Sequence, residues 1–433
     1  YVKDLTVEGF DYGVYFDKMP VNNLALEHLT LRHQRKSGIY NVGKNVQIRG
    51  VISQNSVPAL IVERDYAATV LLDAQLTGEG NGPAIEMKSP SFLFLRDIET
   101  QDYELGISLP DSSNHPNLPT GTITEWTTHP NPLSHGTSLR LPVKEAPEYY
   151  NSDLTQWANV IDYGATPDND DDDDAIGIQA AIDSGKAIVY LPRGEYCLKS
   201  DVIVRGTVRK IDFLFSWIKS GPGTTPAIRI RSSESGETIL ENMAMASNQV
   251  DLIHDSPGTV VIRNRGGFGK IITSDKATGD LFVEAVGPNC TIEVRNGISA
   301  WLRAVNRERV GLLNDGGTMW CFGDNVERMH TKGTNNSRVQ PVDTRNGGKT
   351  EYLGGAFDAI FVAHTIEDGP LFSCNNSTLF AVYAGELWDN AKGKGSWPLQ
   401  FQITDDGQKT LVTDDDIVIT PVENGGVKRF VMP

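Results

Sequence analysis

The stretch Trp301-Leu-Arg-Ala-Val-Asn306-Arg-Glu308-Arg309 is followed, nineteen residues on, by Trp320-Cys-Phe-Gly-Asp-Asn325-Val-Glu327-Arg328. Trp, Asn, Glu and Arg each recur at that separation. A repeat of about 20 residues marks a solenoid, in which each repeat is one coil stacked on the last. Parallel strands of neighbouring coils stand about 4.8 Å apart. The repeat therefore predicts Trp301 on Trp320, Asn306 on Asn325 and Glu308 on Glu327. Two carboxylates that close do not both ionise readily, so one is expected to stay protonated toward neutral pH. A scaffold reading stands beside this one. Asn ladders and aromatic stacks are common in stacked sheets, and a Glu-Arg pair is often a solvated ion pair.

Outward from this stretch the same rhythm continues. Leu5-Thr-Val7, Leu24-Ala-Leu26, Val46-Gln-Ile48, Val70-Leu-Leu72 and Phe92-Leu-Phe94 form one apolar set. Gly13–Phe16, Gly38–Tyr40, Ala59–Val62, Ala84–Met87 and Gly106–Leu109 form a second, in phase with the first. Gly, Asn and Asp lie between the sets, and no long amphipathic helix intervenes. That pattern disfavours a sandwich or a doubly wound sheet and suits a parallel β-helix. From about residue 207 the coils resume with Ala227-Ile-Arg-Ile, Thr238-Ile-Leu, Thr259-Val-Val-Ile, Leu281-Phe-Val and Thr291-Ile-Glu-Val. The tail from about residue 398 reads as a cap over the last coil, which solenoids need.

Between the two runs the chain changes character. Seven prolines between Pro110 and Pro147 sit among polar residues and predict a stiff, extended connection lying across the surface. Next come Val160-Ile-Asp-Tyr-Gly-Ala165, an acidic run from Asp168 to Asp174, and Ala175-Ile-Gly-Ile-Gln-Ala-Ala-Ile182, the one clear helix. Asp173 or Asp174 is suited to cap it, and Gly185 to stop it. Clustered carboxylates also suit calcium, but the run lacks the EF-hand spacing, so a helix cap is the favoured reading and no metal is assigned. The expected division is a first solenoid over 1–109, a linker over 110–156, and a second solenoid over 157–433 with its capping helix at 174–184.

Composition limits what such a chain binds. Its 433 residues carry a net charge of -17, which argues against nucleic acid or an anionic membrane surface as partner. No apolar run is long enough to span a membrane. Cys197, Cys290, Cys321 and Cys374 are widely spaced and offer no zinc knuckle. No GxSxG motif is present, and no Cys lies in a basic context, so nucleophilic Ser or Cys catalysis has no support. A pectate-type lyase would need a calcium cluster with a Lys or Arg base, and no such set is found. The chain opens on strand-like Tyr1-Val-Lys-Asp-Leu without Met or leader, which suggests a segment removed upstream.

Val160-Ile-Asp-Tyr-Gly-Ala through Val189-Tyr-Leu-Pro-Arg-Gly-Glu-Tyr196 resembles the opening module of the pectate-lyase-like β-helix superfamily, with Pro167-Asp168-Asn169 where that module usually has Gly-Asp-Gly. Met mid-chain, it implies an all-β fold of tandem right-handed parallel β-helices, the first lacking its own opening module. That arrangement resembles glycoside hydrolase family 55, inverting exo-β-1,3-glucanases. The stretch from Trp301 through Leu313-Asn314-Asp-Gly-Gly317, Trp320 and Glu327 to Gly347-Gly-Lys-Thr-Glu351-Tyr-Leu-Gly-Gly355 is similar to their signature, departing at Leu302 and Asn325. The resemblance implies Glu327 as general acid and Glu308 as the carboxylate positioning the attacking water, with no cofactor. Trp301, Trp320, Arg303 and Glu351 are the candidate substrate contacts, although a buried core role is the commoner fate of such tryptophans. The implied partner is a polysaccharide, a neutral glucan above all, met outside the cell or at its surface. An open first coil would also invite self-association. The alternative is a β-helix that keeps the scaffold and binds glycans without cleaving them.

Overall fold

The computed structural model describes residues 1–17, 23–64, 68–110, 115–128, 137–232, 236–246, 250–266, 269–287, 290–308, 311–327, 341–358, 369–386, 399–413 and 427–432. Within them the chain forms two parallel β-helices. In the first, Val2–Glu8, Asn23–Arg32, Asn45–Gln54, Ala68–Thr77 and Phe92–Gln101 stack in parallel as one sheet. Tyr12–Phe16, Ser37–Asn41, Leu60–Val62, Pro83–Met87 and Leu105–Ser108 stack as a second. The two apolar sets read from the sequence are these two sheets. Their inward residues, among them Leu26, Leu29, Ile48, Leu71 and Leu95, close a dry core between them.

The expected linker begins differently. Gly121–Thr127 adds to the first solenoid as an antiparallel strand on Phe92–Gln101. Its polar Thr-Ile-Thr-Glu-Trp alternation satisfies the last open backbone edge of that sheet. Residues 137–153 then run extended. They are not a free surface strap. Leu139, Leu141, Val143, Ala146 and Tyr149 pack into the seam between the two solenoids.

The second solenoid opens on Asp174–Ile182, whose Ile178, Ala181 and Ile182 seal the first turn of the core. The acidic run stitches this helix down. Asp173 accepts from Ala175 N at 3.1 Å and Lys199 N at 2.8 Å. Asp174, almost fully buried, accepts from Thr166 N and Cys197 N, both at 2.7 Å. Asp168 accepts from Glu195 N at 3.0 Å. These carboxylates satisfy amides that the helix start and adjoining turns leave open.

Most long strands of both solenoids bend at a residue with left-handed backbone. In the first these are Asp4, His28, Gly50, Asp73 and Asp97, with φ from 53° to 69°. In the second they are Asn242, Asn264, Ala285, Ala304, Gly323 and Gly354, with φ from 49° to 70°. Asp, Asn and Gly tolerate this region at low cost. Strand pairing places these bends one above another, so the coils that carry them turn the same corner.

The nineteen-residue repeat is a true register. Trp301 pairs with Trp320, Asn306 with Asn325 and Glu308 with Glu327. The Asn314-Asp-Gly-Gly317 motif is a turn clamp: Asn314 donates to Lys349 O at 3.0 Å and Thr350 Oγ1 at 2.9 Å, and accepts from Gly317 N at 2.8 Å. A Cβ on Gly317 would meet Ile298 O at 2.8 Å.

Inside the second solenoid lies a buried ion pair. Arg307 holds Asp324 with two nitrogens and donates to Pro341 O at 2.9 Å, and Tyr352 Oη donates to Asp324 at 2.9 Å. Burial, with Asp324 beside it, pushes the Tyr352 phenol far above its usual range. Asp324→Asn keeps the shape and removes the charge that Arg307 faces. We expect it to destabilise the second solenoid by about 3–5 kcal/mol, the usual cost of stranding one buried partner. A urea midpoint equal to that of the parent would contradict this.

Candidate functional site

The bent strands give each solenoid an arm whose outer face packs against the other solenoid. On the first, the outward columns are Ala25, Gln47, Val70, Phe94 and Lys3, Glu27, Arg49, Leu72, Arg96. On the second they are Ile239, Val261, Phe282, Trp301, Trp320, Glu351, Phe380 and Glu241, Arg263, Glu284, Arg303, Phe322, Leu353, Val382. The two pairs of columns meet face to face, with the linker laid along them.

The sequence-predicted substrate contacts sit in this seam. Trp301 is 3% exposed; its indole stacks on Phe282 at 4.8 Å and donates to Pro142 O at 2.9 Å. Trp320 is 1% exposed, with the Arg303 and Arg49 guanidinium groups over its ring at 5.2 and 5.8 Å. Arg303 is fully buried between Glu27 at 3.0 Å and Glu284 at 3.3 Å, and donates to Lys144 O. Glu351, also fully buried, accepts from Arg96 at 2.7 Å, Arg140 N at 2.8 Å and Leu141 N at 3.2 Å. The reading of these four as a sugar platform and its contacts is therefore corrected. None offers a face to a ligand, and all four hold the two solenoids and the linker together. They match the period-2 pattern of outward residues, but what covers that outward face is the other solenoid.

The linker's own carboxylate joins the same network. Burial alone would raise Glu145, but Arg49, Lys3 and Arg303 outweigh it and hold the group at about 2. Burial raises the Glu351 carboxyl, and Arg96 and two amides oppose it without cancelling the rise.

Glu308 and Glu327 lie just past the seam, beyond the bend. Their backbones are directly paired; their side chains lie outside the described part of the structure. Arg307 and Val326, one residue earlier on the same strands, are fully buried. The same row continues further than the sequence suggested. Glu327 pairs with Asp358, and Asp358 with Glu386, giving four acidic positions on four successive strands. A fixed offset of nineteen could not find the last two, because segments 328–340 and 359–368, outside the described residues, lengthen those coils.

Gly354 fixes how the seam meets this row. Its φ is +70°, and a Cβ there would lie 2.1 Å from Gln47 Cγ. The bend of the second solenoid thus lands on the start of the first solenoid's arm.

Residues 157–210 match the family model described as rhamnogalacturonase A/epimerase, pectate lyase-like. No curated protein is similar enough to the chain to match it. The matched segment is the stitched helix and first coil of the second solenoid, and parallel coils lie on both sides of it. The parallel sheets make this a β-helix chain, and over residues 157–210 it is similar to the pectate-lyase-like family.

Proposed function

We propose that the chain is an extracellular glycoside hydrolase acting on β-1,3-glucan or a related neutral polysaccharide by inversion. The observation that carries this reading is the direct pairing of Glu308 with Glu327 on adjacent strands, next to a third acidic position at Asp358. Glu327 is the general acid on the leaving oxygen, and Glu308 positions the water. Inversion needs carboxyl groups about 6.5–9.5 Å apart, so side chains rooted about 4.8 Å apart must splay around a sugar and its water. The net charge of -17 favours a neutral polymer over an anionic one.

The test is incubation with a soluble β-1,3-glucan, following reducing ends and the anomeric proton by NMR. The expected product is sugar released first as the α-anomer. No release from any neutral β-glucan, or release first as the β-anomer, would remove the assignment. A non-catalytic glycan-binding β-helix is the second reading, and the burial of Trp301, Arg303, Trp320 and Glu351 is what favours it.

A further inference from the structure

The first solenoid carries a cleft of about 530 Å³ on its bent sheet, away from the acidic row. Its floor is the bend itself, from His28 through Gly50 and Asp73 to Asp97. Its wall is the outward column just beyond, where Thr30, Ile52, Gln75, Glu99 and Thr122 pair in succession. Those pairings span five strands, four steps of about 4.8 Å, so the cleft runs along the solenoid axis for about 19 Å. One step is close to the length of a pyranose ring.

The cleft is distinct from the Glu308–Glu327 row. Gly323 and Gly354, which lead into the carboxylate strands, approach Ala25 and Gln47 at the start of the first solenoid's arm. The cleft begins at His28 and Gly50, where that arm ends. The two features therefore flank the packed arm from opposite ends.

Its lining suits a hydroxyl-rich chain. Among the described residues, the side chains of Thr30, Asp73, Gln75, Glu99 and Thr122 make no hydrogen bond or ion pair, so their polar groups are open to a ligand. Ile52, 45% exposed, puts an apolar patch second in the column, between Thr30 and Gln75, matching the C–H face of a sugar ring. Asp97 is already held by Arg140, which donates to both its oxygens at 2.9 Å and so braces the cleft against the linker. The Asp73 carboxyl reaches solvent yet is walled by protein. Burial raises it above its usual range, Arg49 and Arg96 pull it back, and Asp97 adds to the rise. Two further carboxylates, at Asp73 and Glu99, repel an anionic polymer but accept hydrogen bonds from vicinal hydroxyls.

We propose that this cleft is a second polysaccharide-binding site, taking a neutral glycan chain lengthwise along the first solenoid and tethering the polymer independently of the acidic row. The ligand class rests on the carbohydrate reading above; the site itself rests on the cleft. The experiment is affinity electrophoresis and calorimetry of the full chain with laminarin and xylan, beside polygalacturonate and chitosan. Binding is measured in the Glu327→Gln background, where the polymer is not cleaved, and that chain should bind a neutral glycan. Asp73→Ala/Glu99→Ala should weaken it by about tenfold or more, since two charge-assisted hydrogen bonds are lost. Ile52→Arg, which fills the column, should do the same without touching a carboxylate. Neutral-glycan binding unchanged in both variants, binding to no neutral glycan, or tighter binding to polygalacturonate or chitosan would each overturn the proposal. Hydrolysis surviving in the cleft variants leaves the function at Glu327 standing, and cleft binding surviving in an inactive chain leaves the cleft standing.

Discussion

Glu327→Gln is expected to slow sugar release from a β-1,3-glucan by about 10²–10⁴-fold while the chain melts at an unchanged temperature. The substitution keeps size and hydrogen-bonding shape and removes only the transferable proton. Glu308→Gln should cost a similar factor if its carboxylate aligns the water. The structure makes a third variant necessary, because Glu327 is flanked by Glu308 on one side and Asp358 on the other. Glu308 and Asp358 are two steps apart, about 9.6 Å at the backbone, close to the spacing that inversion uses. Asp358→Asn therefore separates two pairings. If it abolishes turnover while Glu327→Gln is fully active, the working pair spans Glu308 and Asp358 and the acid assigned here is wrong. If all three variants keep full activity, the row takes no part in the chemistry.

The second large effect is structural. Arg303→Ala should destabilise the contact between the solenoids by about 3–5 kcal/mol, because it strands Glu284 in the seam, leaves Glu27 with Arg49 as its one remaining cation, and removes one of the two cations over Trp320. A chain of two solenoids need not unfold in one step, so a single free energy is the wrong readout. The expected signature is an earlier transition in a melting curve, with faster proteolysis in the linker near Lys144, whose carbonyl Arg303 binds. Arg303→Lys keeps the charge but loses the planar fork, and should fall between parent and Ala. Replacing the pair together, with Arg303→Met and Glu284→Gln, should recover much of the loss, since Glu27 keeps Arg49. A melting curve and cleavage rate for Arg303→Ala equal to those of the parent would refute the role given to this side chain.

How far the sequence could be read depended on which contacts it encodes locally. Strand positions, the stitched helix at Asp174 and the pairing of Trp301 with Trp320 all follow from period, capping chemistry and a repeated offset. The seam did not. Alternation tells which residues face away from a coil's own core, but Arg49, Arg96 and Glu27 look the same in sequence whether water or a second solenoid lies beyond them. Trp301 and Trp320 were ambiguous for the same reason. What covers the linker is not legible either, because its prolines report stiffness and extension, and neither says that Leu141 and Ala146 pack under a second solenoid. Gln47 and Gly354 meet across more than three hundred residues, and no local rule links them.

The columns that meet in the seam have a consequence for how such a chain can lengthen. Both stacks climb by the same step, and ions matched to ions near Glu27 give way to rings matched to rings near Phe94 and Phe380. A duplicated coil placed inside the matched stretch of one stack would shift every later partner by a whole step, setting Arg96 against an aromatic and Glu351 against nothing charged. Additions are tolerable only beyond the ends of the contact, or in both stacks at once. The two solenoids behave as toothed racks cut to one pitch: each can be extended freely where it runs past the other, and neither can be altered alone where they mesh.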